Sequence, residues 1–71
     1  MSYNKEFKVT GLTCGHCVAS VEEEVSEIPA VTSVNVDLVA NGVSTVTVQA
    51  DNEVADADVQ AAIEEAGYHL A

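Results

Sequence analysis

Two cysteines separated by two residues are the groups in this chain whose type and spacing best suit chemistry. Cys14 and Cys17 are the only cysteines among 71 residues. With two residues between them, a short loop can turn both sulfurs toward one point, as in metal-binding and redox pairs. The first residues lack the apolar stretch of a secretory signal. If residue 1 is the native start, we expect a reducing compartment, in which a structural disulfide is disfavoured.

The position of the pair predicts thiolate chemistry. Cys14 and Cys17 lie where a first strand ends and a first helix is predicted to begin. Free N–H groups and the positive end of the helix dipole favour a thiolate, which predicts a lowered pKa for Cys17. Two thiolates suit Cu(I), whereas a closed zinc site needs four ligands and finds no second cysteine pair. We predict one Cu(I) per monomer, bound through Cys14 and Cys17, and note that Ag(I), Hg(II), Cd(II) and Zn(II) also bind such pairs in vitro.

Two other interpretations of the cysteines are open. They could be an inert, partly buried pair, although the predicted loop is exposed. The tetrapeptide Cys14-Gly15-His16-Cys17 is also identical to the active-site sequence of protein disulfide isomerases, which raises the hypothesis of thiol–disulfide exchange. A thioredoxin-like fold needs more chain before the motif than is present here, and a proline in a strand well after it, whereas the only proline is Pro29. Metal binding is therefore favoured.

The hydrophobic pattern predicts the elements that position the pair. Residues 5–10 alternate in polarity and predict a first strand, and the alternating apolar residues of 34–38 and 46–48 predict two more. Asn41-Gly42, between the latter two, is typical of a tight hairpin turn. A helical stripe runs from Cys17 to Ile28 and is ended by Pro29.

A second helical stripe and a short final segment complete the fold. The stripe opens with Asp56 or Asp58 in its first turn and closes at Gly67. It consists of Val59, Ala62, Ile63 and Ala66. Residues 68–71 leave room only for a short edge strand. The order β-α-β-β-α-β predicts an α+β, ferredoxin-like sandwich, in which two helices cover one face of a four-stranded antiparallel sheet.

The charge of the chain excludes several classes of partner. Two Lys+Arg against twelve Asp+Glu give a net charge of −10, and the only cations are Lys5 and Lys8. Nucleic acid and anionic membrane surfaces are therefore excluded as partners. No apolar run approaches the roughly 18 residues of a membrane span. A length of 71 residues with 48% hydrophobic residues supports one small core.

The segment Gly11-Leu12-Thr13-Cys14-Gly15-His16-Cys17 resembles the Gly-Met-Thr-Cys-x-x-Cys motif of the heavy-metal-associated domain family. The element order and the length match that family along essentially the whole chain, which implies a single heavy-metal-associated domain over residues 1–71. Among its members the chain is most similar to small bacterial copper chaperones, which it also resembles over Ala62–Tyr68. Leu12 replaces the usual Met, a residue that in the family packs beneath the loop and does not bind metal.

The resemblance implies a soluble, cytoplasmic carrier without enzymatic activity. Such a carrier passes Cu(I) by thiolate exchange to a copper-transporting P-type ATPase, to the metal-binding domains of that ATPase or to a copper-sensing regulator. It is expected to be a monomer without metal, with a copper-bridged dimer as a further state. One alternative is an N-terminal metal-binding domain of a heavy-metal-transporting ATPase. Thiol–disulfide oxidoreductase activity is a less favoured one.

Side chains around the motif add further candidates. His16, between the thiols, and His69 are each either a third ligand or a solvent-exposed residue. Tyr68 is expected to shield the metal and anchor the loop, or simply to cap the small core. The first helix carries an acidic run that is either a solvated face or a docking surface for a cationic partner. Its members are Glu22, Glu23, Glu24 and Glu27.

Overall fold

The computed structural model describes residues 3–71, so the predicted domain start at residue 1 lies outside the described residues. The four strands form one antiparallel sheet in the order β2-β3-β1-β4, which confirms the predicted βαββαβ sandwich. The elements are β1 (Tyr3–Thr10), α1 (Gly15–Ser26), β2 (Val31–Asp37), β3 (Ser44–Ala50), α2 (Asp56–Glu65) and β4 (His69–Leu70).

Alternation along the strands separates an apolar face of the sheet from a polar one. Phe7 of β1 lies opposite Val46 of β3, and both side chains are buried. The helices add Val21 and Val25 of α1 and Val59 and Ile63 of α2 to the same core, so both helices cover one face. Polar residues occupy the other face, among them Glu6, Lys8, Thr45, Thr47 and Gln49.

The connection between β2 and β3 is longer than the predicted tight hairpin. The last pair of the two strands is Asp37 with Thr45, so Leu38 belongs to the loop of residues 38–43 and not to β2. A turn inside this loop is closed where the Gly42 N–H donates to the Val39 carbonyl at 3.2 Å. Asn41 has a φ of +63°, as its tendency to adopt left-handed backbone predicts. The turn at Asn41-Gly42 was therefore predicted correctly, whereas the predicted end of the second strand at Leu38 was wrong by one residue.

The end of α2 turns the chain sharply toward β4. The Tyr68 N–H donates to the Ile63 carbonyl at 3.1 Å, and the Gly67 N–H donates to the Glu64 carbonyl at 2.9 Å. This pair of bonds is a Schellman motif, which requires a left-handed residue just after the helix, and Gly67 supplies a φ of +98°. The predicted closure at Gly67 is confirmed. The motif also fixes the direction of the backbone at Tyr68.

Alanine substitutions at two glycines test whether a positive φ, in the absence of any steric clash, lowers the free energy of unfolding. A Cβ at Gly67 or at Gly15 would meet no atom within 4 Å, but only Gly67 has a positive φ. We expect Gly67→Ala to lower the free energy of unfolding by about 1–2 kcal/mol. Gly15→Ala, the matched control, should leave it unchanged or raise it. Urea unfolding followed by circular dichroism measures both, and equal losses would contradict the role given to φ.

Candidate metal centre

The loop between β1 and α1 is anchored from below by one side chain. Leu12 is only 1% exposed and belongs to the core, whereas the next two residues of the loop, Thr13 and Cys14, are exposed. Leu12 therefore occupies the place that the resemblance assigned to Met. At Gly11 the φ is +95°, and an added Cβ would lie 3.3 Å from Cδ1 of Tyr68. Glycine is required there both for its conformation and for the close approach of the Tyr68 ring.

Both cysteines lie in the first turn of α1. Cys14 is the N-cap, and its carbonyl accepts hydrogen bonds from the N–H groups of Cys17 at 3.1 Å and Val18 at 3.3 Å. The helix thus begins at Gly15, two residues earlier than predicted, because the apolar stripe does not extend into this turn. The two Sγ atoms are 4.0 Å apart. Cys14 is exposed and Cys17 half-buried, so one sulfur is open to solvent while the other is sheltered.

Hydrogen-bond donors lower the pKa of the Cys17 thiol from 9.0 to about 6. The largest contribution comes from the Tyr68 hydroxyl, followed by the backbone and hydroxyl groups of Thr13 and the backbone of Cys14, while partial burial acts in the opposite direction. The Thr13 Oγ1 lies 3.6 Å from the sulfur. The predicted lowering of the Cys17 pKa is confirmed, and the largest contribution to it comes from Tyr68, which the prediction did not include.

Tyr68 does more than cap the core. Its pKa is raised, first by the interaction of its hydroxyl with Cys17, then by burial and by the negative charges of Cys17 and Cys14. Its half-buried ring also lies against Gly11. Tyr68 therefore joins the loop to the sheltered sulfur. The expected anchoring of the loop by Tyr68 agrees with this arrangement, but the interaction with Cys17 could not be predicted from local sequence, because it depends on the turn at Gly67.

The histidines do not complete a ligand cluster with the sulfurs. Within residues 3–71, no set of three His, Cys, Asp or Glu side chains is close enough to hold a metal ion. His16 is exposed in the first turn of α1. His69 lies in β4 opposite Thr10, on the polar face of the sheet, and not in a loop near the sulfurs as expected. The two thiols therefore stand as a pair.

Charged side chains near the helices are mostly acidic. Glu23 is exposed and Glu22 half-buried on α1. Partial burial, and then the nearby Glu27, Glu65 and Glu23, raise the pKa of Glu24. Carboxylates also line an open groove of about 440 Å³ between the C-terminal half of α1 and α2. The lysines lie elsewhere, since Lys5 pairs with Asp56 at 2.7 Å and Lys8 donates to Thr45 at 2.8 Å.

Comparison with known proteins agrees with this geometry. The heavy-metal-associated domain family matches residues 6–69. The copper chaperone CopZ of Bacillus subtilis (strain 168) is 42% identical over 67 residues, which cover 94% of each chain. A solved CopZ metallochaperone superposes with a TM-score of 0.85 at 36% identity, covering 97% of this chain and all of the other.

Similarity extends to a domain of a transporter. The N-terminal domain of a potential copper-translocating P-type ATPase from Bacillus subtilis, solved in the Cu(I)-loaded state, superposes with a TM-score of 0.81. It is 30% identical, and the match covers 99% of this chain and 85% of that one. The chain belongs to the heavy-metal-associated domain family, which confirms the resemblance seen in its motif. Neither helix among the described residues has the length and apolarity needed to cross a membrane.

Alkylation kinetics test the pKa of Cys17. In a Cys14→Ser variant, the rate of reaction of Cys17 with iodoacetamide should rise with a pH midpoint of about 6. Adding Tyr68→Phe, which keeps the ring and removes the hydroxyl, should move the midpoint upward toward 9.0. A midpoint at or above about 8.5 with Tyr68 present would contradict the assignment.

The stability of the metal-free protein should also depend on pH through Cys17. Because the pKa is about 6 in the folded state against 9.0 for an ordinary thiol, the unfolded state binds more protons between these values. The Cys17 thiolate therefore makes its full contribution to the free energy of unfolding above pH 9.0. The contribution falls as the pH is lowered and is lost below a pH of about 6. The urea midpoint of the wild type should fall more over this range than that of Cys17→Ser, and parallel curves would contradict the linkage.

Proposed function

We propose that this protein is a copper chaperone that binds one Cu(I) through Cys14 and Cys17 and passes it to an acceptor by thiolate exchange. The observation that carries the proposal is the pair of thiols 4.0 Å apart on the first turn of α1, one exposed and one with a lowered pKa. Copper is the cargo of the protein. The similarity to CopZ chaperones supports copper over other soft metals.

The spacing of the sulfurs suits a metal that is to be handed on. With metal–sulfur bonds of about 2.3 Å, the length found in zinc thiolates, sulfurs 4.0 Å apart subtend an angle of about 120° at a shared ion. A linear two-coordinate ion would need them about 4.6 Å apart. The observed spacing therefore fits a three-sulfur arrangement, in which a sulfur of the acceptor takes the third position.

The exposure of the sulfurs gives the exchange an order. An incoming acceptor thiolate reaches the metal beside the exposed Cys14, while Tyr68 and Thr13 shelter Cys17. The third metal–sulfur bond forms before a bond to this chain breaks, so the ion is never released to water. At neutral pH, Cys17 with its pKa of about 6 needs to lose no proton to bind copper.

The acceptor in this proposal is a copper-transporting P-type ATPase, through its metal-binding domains, or a copper-sensing regulator. Similarity to an ATPase domain of the same fold supports the first. Glu22 and Glu23, beyond the first turn of α1, would face a cationic acceptor surface and speed the encounter. We place this exchange in the cytoplasm, between the copper-loaded protein and its acceptor. The metal-free protein is a monomer in this proposal, and a copper-bridged dimer is a side product of the same chemistry.

A second candidate function is favoured by the ATPase match itself. The same fold and motif would serve as a metal-binding domain attached to a transporter. An antibody raised against this chain distinguishes the free carrier from the attached domain on a blot of cell extract. A band at 7.4 kDa supports the free carrier, and a band of transporter size supports the attached domain.

Native mass spectrometry of protein from copper-supplemented cells tests the metal. The wild type should carry one copper ion, and the Cys14→Ser, Cys17→Ser double variant should carry none. In competition with a strong Cu(I) chelator each single variant should lose most of the affinity, because one sulfur remains. A His16→Ala variant is the matched control within the same turn and should retain wild-type affinity. Copper retained by the double variant would overturn the proposal.

A further inference from the structure

Two large apolar side chains, both valines, are exposed at the surface of the described residues. Val39 and Val43 are 46% and 45% exposed, and they are the large hydrophobic side chains that residues 3–71 leave exposed. Both lie in the loop of residues 38–43 between β2 and β3. We call these two side chains the valine pair. The two side chains are an apolar feature in a chain with a net charge of −10.

The valine pair lies at the same end of the molecule as the cysteines. β1 and β2 both run antiparallel to β3, so they point in the same direction. β1 ends at Thr10, just before the cysteine loop, and β2 ends at Asp37, just before the valine loop. Ser44, the first residue of β3, pairs with Val9 near the end of β1. The cysteine loop and the valine loop therefore emerge side by side.

The valine loop is held in one conformation by hydrogen bonds to Val39. The buried Ser44 hydroxyl accepts a bond from the Val39 N–H at 2.9 Å and lies 3.4 Å from the Val39 carbonyl. The Gly42 N–H donates to the same carbonyl at 3.2 Å. A Cβ at Gly42 would lie 2.9 Å from Cγ1 of Val39. Any larger residue at position 42 would therefore displace the Val39 side chain. The valine pair is thus presented on a fixed backbone, which reduces the entropy lost on docking.

The dimensions of the molecule bring the valine pair close to any partner that docks over the cysteine loop. The molecule measures 35 × 19 × 18 Å. An eight-residue strand such as β1 is about 27 Å long and four strands are about 19 Å wide, so the long axis follows the strands. The end that carries both loops is therefore about 19 by 18 Å. A standard interface buries about 800 Å² per partner, so a partner docked over the cysteine loop at this small end also approaches the valine loop.

We propose that the valine pair is a docking contact for the acceptor, which is a CxxC domain of this same fold presenting an apolar patch beside its own cysteines. The inference rests on the proposed function, because transfer requires the acceptor to approach Cys14. The similarity of an ATPase domain in fold supports an acceptor built in the same way, with its own β2–β3 loop beside its metal loop. The contact would add a salt-insensitive attraction to the steering by the acidic face of α1.

Copper transfer to the N-terminal domain of the Bacillus subtilis copper-translocating ATPase, followed by stopped flow, tests the contact. A Val39→Thr, Val43→Thr variant keeps the side-chain shape and replaces one methyl group at each position with a hydroxyl. We expect it to slow transfer by about tenfold, at both 0.1 M and 1 M salt. A Glu22→Lys, Glu23→Lys variant should differ from the wild type at 0.1 M only, because the screening length falls to about 3 Å at 1 M.

Two controls separate docking from other effects. Ala57→Ser makes an exposed residue more polar at the opposite end of the molecule and should transfer at the wild-type rate. Cu(I) affinity in chelator competition should be unchanged in the valine variant. Wild-type transfer rates in that variant, or a loss of its Cu(I) affinity, would overturn the inference. Absence of transfer from the wild-type protein would instead overturn the proposed function on which it rests.

Discussion

The negative charge of the Cys17 thiolate is stabilised by neutral donors, in a chain that has almost no cations to offer. The chain has twelve Asp and Glu side chains and only two lysines. Those lysines bond to Asp56 and Thr45, and neither contributes to the lowered pKa of Cys17. The stabilisation comes from hydroxyl and backbone groups of Tyr68, Thr13 and Cys14. Neutral donors act over short distances, so the geometry around the sulfur has to be fixed closely.

Two glycines supply much of that geometry. The φ of +98° at Gly67 completes the Schellman motif and fixes the backbone at Tyr68, and the missing side chain at Gly11 lets the ring approach the loop. Buried Leu12 holds the same loop from the core. A thiolate supported in this way is ready for a metal at neutral pH. Because each hydrogen bond also draws electron density from the sulfur, the sulfur is a weaker electron donor than a bare thiolate, which would favour the metal release in the proposed function.

Local sequence patterns predicted most of the fold. The valine alternation of β3, the stripe of α2 and the glycine that ends it each act within a few residues, and each prediction was confirmed. The cysteine spacing placed both sulfurs at the start of α1. What the sequence could not provide were contacts between distant segments. The hydroxyl of Tyr68 reaches Cys17 across fifty residues, and the β1–β4 register, not the neighbouring sequence, decides which face His69 occupies.

The shortness of β4 has a consequence for how the protein behaves in concentrated solution. β4 pairs with only Val9 and Thr10, and Ala71 adds one bond to the Lys8 carbonyl. Among residues 3–71, most of the outer edge of β1 therefore carries backbone groups that no strand covers, and such an edge can recruit a strand from another copy. Both lysines lie on this strand, where charge opposes edge-to-edge addition, and mutual repulsion between molecules of charge −10 adds to that protection. As acid neutralises the carboxylates, the repulsion between molecules weakens. The charge of the two lysines on β1 then becomes the main factor that opposes self-association.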